Sequence, residues 1–183
     1  DIEMPLVDVL LSMEREGVRI DTDVFKQYSN ELEKERQELE QKIYALAGVE
    51  FNISSPKQLG EVLFERLDIN NGRKAKKTKT KQFSTSEDVL EKLIFSHPIV
   101  PMILEYRSIT KLKSTYIDAL PLLINKKTGK IHTTFNQAIT ATGRLSSTNP
   151  NLQNIPIRTE RGKEIRKAFI PSDNGHLLLS SDY

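Results

Sequence analysis

Apolar residues in the first two thirds of the chain recur at helical spacing. Leu6, Val9, Leu10 and Met13 share one face of a helix predicted over residues 2–16, and Gly17 closes it where a left-handed C-terminal residue belongs. Val18-Arg19-Ile20 reads as a short extended piece leading to Asp21-Thr22-Asp23, any of which can cap a second helix. That helix is predicted from about 24 to 47, with Phe25, Tyr28, Leu32, Leu39, Ile43 and Leu46 in one stripe. Its other faces are Glu, Lys, Arg and Gln, Gly48 ends it, and at the helical rise it spans roughly 35 Å. Ser55-Pro56-Lys57-Gln58 has the form of a capping box with proline at the first helical position, opening a helix that carries Leu59, Val62, Leu63 and Leu67.

The pattern breaks over residues 70–83. Asn70-Asn71-Gly72 predicts a turn, and six basic residues (Arg73, Lys74, Lys76, Lys77, Lys79 and Lys81) then crowd into nine positions, predicted to form a flexible basic loop. Ser84 with Glu87 reads as a second capping box, starting a short helix to about Phe95. After His97-Pro98, Ile99, Met102, Ile103, Tyr106 and Ile109 mark a long helix continuing to about Leu120.

Near residue 125 the pattern changes. Lys127-Thr128-Gly129-Lys130 predicts a turn, and Ile131–Phe135 alternates as a half-buried strand. Residues 140–160 are rich in Thr, Ser, Asn, Gly and Pro and show no period, a length unusual for an idle loop. Arg161–Lys167 is predicted as a short basic helix, and Ala168–Ile170, Pro171–Gly175 and His176–Asp182 as strand, turn and strand. The unbroken Leu177-Leu178-Leu179 points to burial on both faces of a sheet. The chain therefore divides near 125 into a helical arm and the start of an α+β domain.

Composition narrows the field. The charged fraction is 28%, but a net charge of +2 is too small to establish a polyanionic partner; the placing of the charges decides. The absence of cysteine excludes disulfides and thiolate metal sites. No apolar run approaches membrane-spanning length, and Asp1-Ile2-Glu3 does not read as a signal peptide. With no initiator methionine and an end just past an apolar run, both termini read as cut points in a longer protein.

Three places could carry chemistry. The basic run at 73–81, with interleaved threonines, is either a solvated loop or a grip on phosphate backbone, where each neutralised phosphate releases counterions. Arg107 and Lys111, one helical turn apart, are either an ordinary wet face or an extension of that grip. The stretch Thr140–Arg158 offers guanidinium, amide and hydroxyl groups that suit the minor-groove acceptors common to all base pairs, or else simply bonds itself into a structural loop. Asp182, at the end of the predicted strand, is a cap or a hard oxygen ligand for Mg²⁺, and two-metal phosphoryl transfer needs a second carboxylate besides. On residues alone, a polymerase part, a non-catalytic DNA-binding module and a helical protein-interaction arm all remain compatible.

Thr140–Arg158 (TATGRLSSTNPNLQNIPIR) and Leu177–Tyr183 (LLLSSDY) resemble the family A DNA polymerases, the bacterial DNA polymerase I group. Supporting matches are Met13–Val18, Phe51–Leu59, Ser84–Glu87 and Leu104–Tyr116, so the resemblance runs through the whole chain. It implies an α+β fold: an elongated, mainly helical thumb of long antiparallel helices over residues 20–124, then the first strands of an incomplete palm with an antiparallel sheet over 125–183. Residues 1–19 would end a preceding exonuclease-type domain. By this resemblance Arg144 reaches the minor groove at the primer terminus, Asn151, Gln153 and Asn154 line the duplex, and Arg107 and Lys111 hold its backbone. Lys76, Lys77 and Lys79 would grip DNA at the thumb tip, although this segment is more lysine-rich than the family pattern. Arg158 would lie near the template and nucleotide pocket, and Asp182 with the Tyr183 carbonyl would bind catalytic Mg²⁺, two ions in a complete enzyme. The implied reaction joins the primer 3′-hydroxyl to the α-phosphorus of a dNTP and releases pyrophosphate. The implied partners are primer–template DNA and dNTP, for a monomeric cytoplasmic protein of the bacterial nucleoid. The fingers and the second palm aspartate would come after Tyr183, so this chain alone is expected to be inactive.

Overall fold

A computed structural model describes residues 3–70, 72, 75–173 and 175–179. The fold is α+β, about half helical, with two small antiparallel sheets among the described residues. The chain forms two compact units, one from residues 31–112 and the other from residues up to 30 together with those from 113 onward.

The first turns of α2 (Thr22–Ala47) belong to the discontinuous unit and the remainder to the other. Asp21 starts this helix: its Oδ1 accepts from the N–H groups of Asp23 and Val24 at 2.9 and 3.1 Å, so of the three capping candidates the first does the work. In the stripe, Phe25, Leu32, Leu39 and Ile43 are buried, whereas Tyr28 and Leu46 are half-buried. The guanidinium of Arg66 closes the far end, donating to the carbonyls of Ala47 and Gly48 at 2.8 and 3.0 Å.

Within the 31–112 unit, α3 (Pro56–Glu61) runs into a π-helical turn, Val62–Arg66, and α4 (Glu87–Glu91) packs on α5 (Ile99–Leu112). Ile53, Leu59, Leu63, Leu90, Ile99, Ile103 and Ile109 are its fully buried centre. The Ser55 cap is half of the predicted box: Ser55 Oγ accepts from Gln58 N at 3.5 Å, but the Gln58 side chain accepts from Asn52 N at 2.7 Å. The second predicted box does not form. The N-cap position of α4 is Ser86, whose side chain makes no cap hydrogen bond, and Ser84 Oγ lies 3.1 Å from Ser86 Oγ, because Ser84 is still in extended chain two residues upstream. The helix predicted to run to about Leu120 changes geometry at Leu112, through a π-helical turn (Lys113–Ile117) to a 3-10 turn (Leu120–Leu123).

In the other unit, α1 (Glu3–Glu16) ends at Gly17, whose φ of +64° and bond to Met13 O at 3.0 Å match the predicted stop. The predicted apolar face of α1 is largely open: Leu10 is buried, while Val9 and Met13 are half-exposed beside an apolar cavity of about 700 Å³ that Val18, Ile131, Phe135 and Leu152 also line. Strand β1 (Arg19–Ile20) pairs antiparallel with β4 (Phe169–Ile170), and β2 (Thr134–Asn136) with β3 (Ser146–Thr148). Helix α6 (Glu160–Lys167) precedes β4.

Two expectations need correction. Of the predicted C-terminal strand, turn and strand, the first strand forms as β4 but pairs with β1, whereas residues 176–179 of the second form no strand, Leu177, Leu178 and Leu179 being 93%, 61% and 93% exposed; residues 180–182 lie outside the described residues. An apolar run is buried in a sheet only where neighbouring strands and a covering layer exist, and these three side chains remain largely open to solvent. The supposedly aperiodic stretch 140–160 contains β3, built from Ser146, Ser147 and Thr148, which carry no apolar alternation to reveal it.

Candidate nucleic-acid interface

In the 31–112 unit, lysines 76–81 form an ordered hairpin instead of the loose loop expected. Lys77 and Phe83 make an antiparallel bridge, and Ser84 N donates to Lys76 O at 2.8 Å across its base. The turn is closed by Thr78 N to Gln82 O at 2.7 Å and Lys81 N to Thr78 O at 3.0 Å. Lys76, Lys77, Lys79 and Lys81 are all exposed, whereas Arg73 and Lys74 lie outside the described residues. The Lys77 ammonium sits 4.8 Å over the Phe83 ring, and Lys76 approaches Asp88 at 3.7 Å, an exposed pair of little energetic weight. The Phe83 ring rests against Phe64, with centroids 5.1 Å apart.

Arg107, expected either on an ordinary wet face of α5 or as a grip on the DNA backbone, is half-buried. One of its terminal nitrogens donates to the Thr85 carbonyl and the other to Thr85 Oγ1 at 3.1 Å, and Thr85 itself is 5% exposed. Burial pushes the Arg107 pKa down, and the nearby Glu87 carboxylate opposes that shift. Lys111, one turn further on, is exposed. Thr85 and Phe83 are not among the sequence candidates; the single aromatic just after the lysine run is the available signal.

In the other unit the polar stretch is bonded to itself and to its surroundings through the backbone. Ser147, fully buried, accepts from Leu152 N at 3.0 Å and lies 3.4 Å from Asn151 Oδ1. The same Asn151 oxygen accepts from Gln153 N at 3.1 Å and Asn154 N at 3.3 Å, folding the chain into an Asx turn. Tyr116 donates its hydroxyl to Asn154 O at 2.6 Å, and Thr133 Oγ1 lies 2.7 Å from Pro150 O. The result is a braced backbone with the side chains of Arg144, Gln153, Asn154 and Arg158 exposed. Asn151 is spent in part on shaping the turn. Gln153, Asn154 and Arg158 also line a shallow cavity of about 370 Å³.

Among the described residues, no group of three or more His, Asp or Glu side chains is placed to hold a metal ion, and Asp182 and Tyr183 lie outside them. Nor is any described helix long and apolar enough to cross a membrane.

The sequence profile described as DNA polymerase family A matches residues 22–183. DNA polymerase I of Geobacillus stearothermophilus is 54% identical over all 183 residues, which cover 20% of its own length. The corresponding figures are 52% and 20% for DNA polymerase I of Bacillus subtilis (strain 168), and 50% and 22% for the thermostable DNA polymerase I of Thermus filiformis. The chain thus spans about a fifth of the length of these curated relatives. Among solved structures, the POL domain of Pol1 from M. smegmatis in complex with DNA primer-template and dNTP matches with a TM-score of 0.81 at 44% identity, covering 92% of this chain and 29% of that one.

Proposed function

We propose, since the chain belongs to DNA polymerase family A, that it is part of a DNA-directed DNA polymerase that extends a primer 3′-hydroxyl with a dNTP and releases pyrophosphate. The observation carrying this reading is the unbroken match of all 183 residues to DNA polymerase I sequences, together with the likeness to a POL domain solved with primer-template and dNTP. Residues 20–124 would be its thumb, 125–183 the first part of its palm and 1–19 the link from a preceding domain. The exposed lysine hairpin would grip the duplex backbone, and Arg144, Gln153 and Asn154 would meet the minor groove without regard to sequence. Arg158 would border the nucleotide pocket, and Asp182 with the Tyr183 carbonyl would serve as ligands to divalent metal, Mg²⁺ by expectation. The protein would work as a cytoplasmic monomer.

Primer extension tests this directly. In the full-length protein, Asp182→Asn should abolish extension while leaving duplex affinity within about twofold, and Arg144→Ala should cost about 1–3 kcal/mol at the primer end. The 183-residue chain by itself should give no extension. Undiminished synthesis by Asp182→Asn, or synthesis by the short chain, refutes the assignment.

A further inference from the structure

We propose that Arg107 is a positioning residue for the lysine hairpin and makes no phosphate contact of its own. The inference rests on the proposed reading that the hairpin lysines grip duplex DNA. Ser84 N closes the base of the hairpin on Lys76 O, and the next residue, Thr85, is the one the guanidinium holds. Two residues back, Phe83 faces Phe64, as alternation in extended chain requires for positions i and i+2 that both point inward. A Cβ on Gly60 would come within 2.9 Å of Phe83 Cβ, so helix α3 and the hairpin are in close contact.

The strand leaving the hairpin is thus pinned at two alternate residues, by a ring and by a guanidinium, while Lys76, Lys77 and Lys79 stay exposed. Arg107 has given both terminal nitrogens to one residue and has lost much of its water in doing so, which commits it to Thr85. The benefit is preorganisation. Lysines on a fixed hairpin meet phosphates without first ordering a loop, a cost that otherwise subtracts from affinity.

The two roles differ in how affinity responds to salt. Each phosphate neutralised adds about 0.9 to the slope of log K against log salt. Duplex primer–template binding is measured over a salt series in the full-length protein, for Arg107→Gln, Arg107→Lys, Thr85→Val, the triple variant Lys76→Gln/Lys77→Gln/Lys79→Gln, and that triple combined with Arg107→Gln. The positioning role predicts that Arg107→Gln lowers the slope by clearly more than about 0.9, the share of one phosphate. It predicts that Arg107→Lys fails alike, because an ammonium cannot make the two-pronged contact with Thr85. It also predicts no further loss when Arg107→Gln is added to the triple variant. Thr85→Val, a milder lesion that guards against misfolding of the arginine variants, should weaken binding in the same direction, and amide exchange at Thr78 and Ser84 should quicken.

Wild-type binding by both Arg107→Lys and Thr85→Val, or an additive loss of about 0.9 in the triple background, overturns the positioning role and leaves the lysine grip standing. A triple variant that binds DNA with unchanged affinity and slope overturns the lysine grip itself, and the positioning role with it.

Discussion

Gly162, in the first turn of α6, is where the polar stretch and its flanking helix touch most closely. A Cβ there would lie 2.3 Å from Pro156 O and 2.8 Å from both the carbonyl carbon and the Cβ of Pro156. Gly162→Ala sets two opposing effects against each other. Alanine in place of glycine within a helix stabilises by about 1 kcal/mol. Overpacking costs about 1–3 kcal/mol, and the upper end applies when the obstructing atoms are backbone that no rotamer change can clear. The balance is a loss of roughly 2 kcal/mol, taken up by parting the 154–158 segment from α6. That motion also strains the cap, in which Thr159 Oγ1 accepts from Gly162 N at 3.1 Å, and the Tyr116 bond to Asn154 O.

Native-state amide exchange in α6 reads this locally, whether or not the two units melt together. A loss of about 2 kcal/mol corresponds to roughly 30-fold less protection of the α6 amides, Lys163 N among them, which bonds to Thr159 O at 3.1 Å. If the close approach is unimportant, the helical gain should win and protection should rise about fivefold. The sign alone decides, and increased protection refutes the packing argument. Under the proposed function, Gln153, Asn154 and Arg158 ride on the displaced segment, so duplex affinity should fall together with protection.

Three other perturbations test the described contacts. Ile103 is fully buried between α5 and its neighbours, so Ile103→Ala should destabilise the 31–112 unit by roughly 2–5 kcal/mol, read as lost exchange protection along α5. Ser55→Ala removes the acceptor for Gln58 N and should cost about 1 kcal/mol at α3, whereas Ser84→Ala, at the box that does not form, should cost far less; the opposite ranking would contradict the cap assignment. Burial, helped by the Glu40 carboxylate, pushes the Tyr44 phenol up to about 12. A raised folded-state value means that Tyr44 stabilises fully below the ordinary phenol range and loses that contribution as pH rises through about 12. Alkaline absorbance titration should therefore show late-ionising phenols, Tyr116 also being raised by burial, and Tyr44→Phe should remove the component near 12; an unchanged titration curve would rule this out.

The helices were legible because their signals are local and redundant. In α2, apolar residues three and four apart, a capping aspartate before them and a glycine after them all agree, and the buried stripe is the result. Ser84 shows the limit of that logic. Two serines two residues apart can each take the cap position, although only Ser84 has a glutamate three residues on, and the choice of Ser86 depends on where the extended chain stops being pinned. Arg107, 22 residues along the chain from the Thr85 it holds, and the ring packed on Phe83 decide that point. Local pattern carries no trace of such a partner.

The same distinction explains the candidate interface. Sequence pattern reports which side chains are polar, and it identified Arg144, Gln153, Asn154 and Arg158, all of which are exposed. It does not report which polar side chains are engaged in holding backbone. Ser147, Asn151, Tyr116 and Arg107 each bond a main-chain group, yet in the sequence Asn151 and Arg107 have the look of surface chemistry. The physical reason is general: an irregular segment cannot satisfy its own N–H and C=O groups as a helix does, so its buried carbonyls and amides recruit nearby polar side chains. Fixed irregular backbone consumes polar residues. A share of the polar residues in such a stretch must therefore be scaffold, and under the proposed function only the remainder is free to meet DNA.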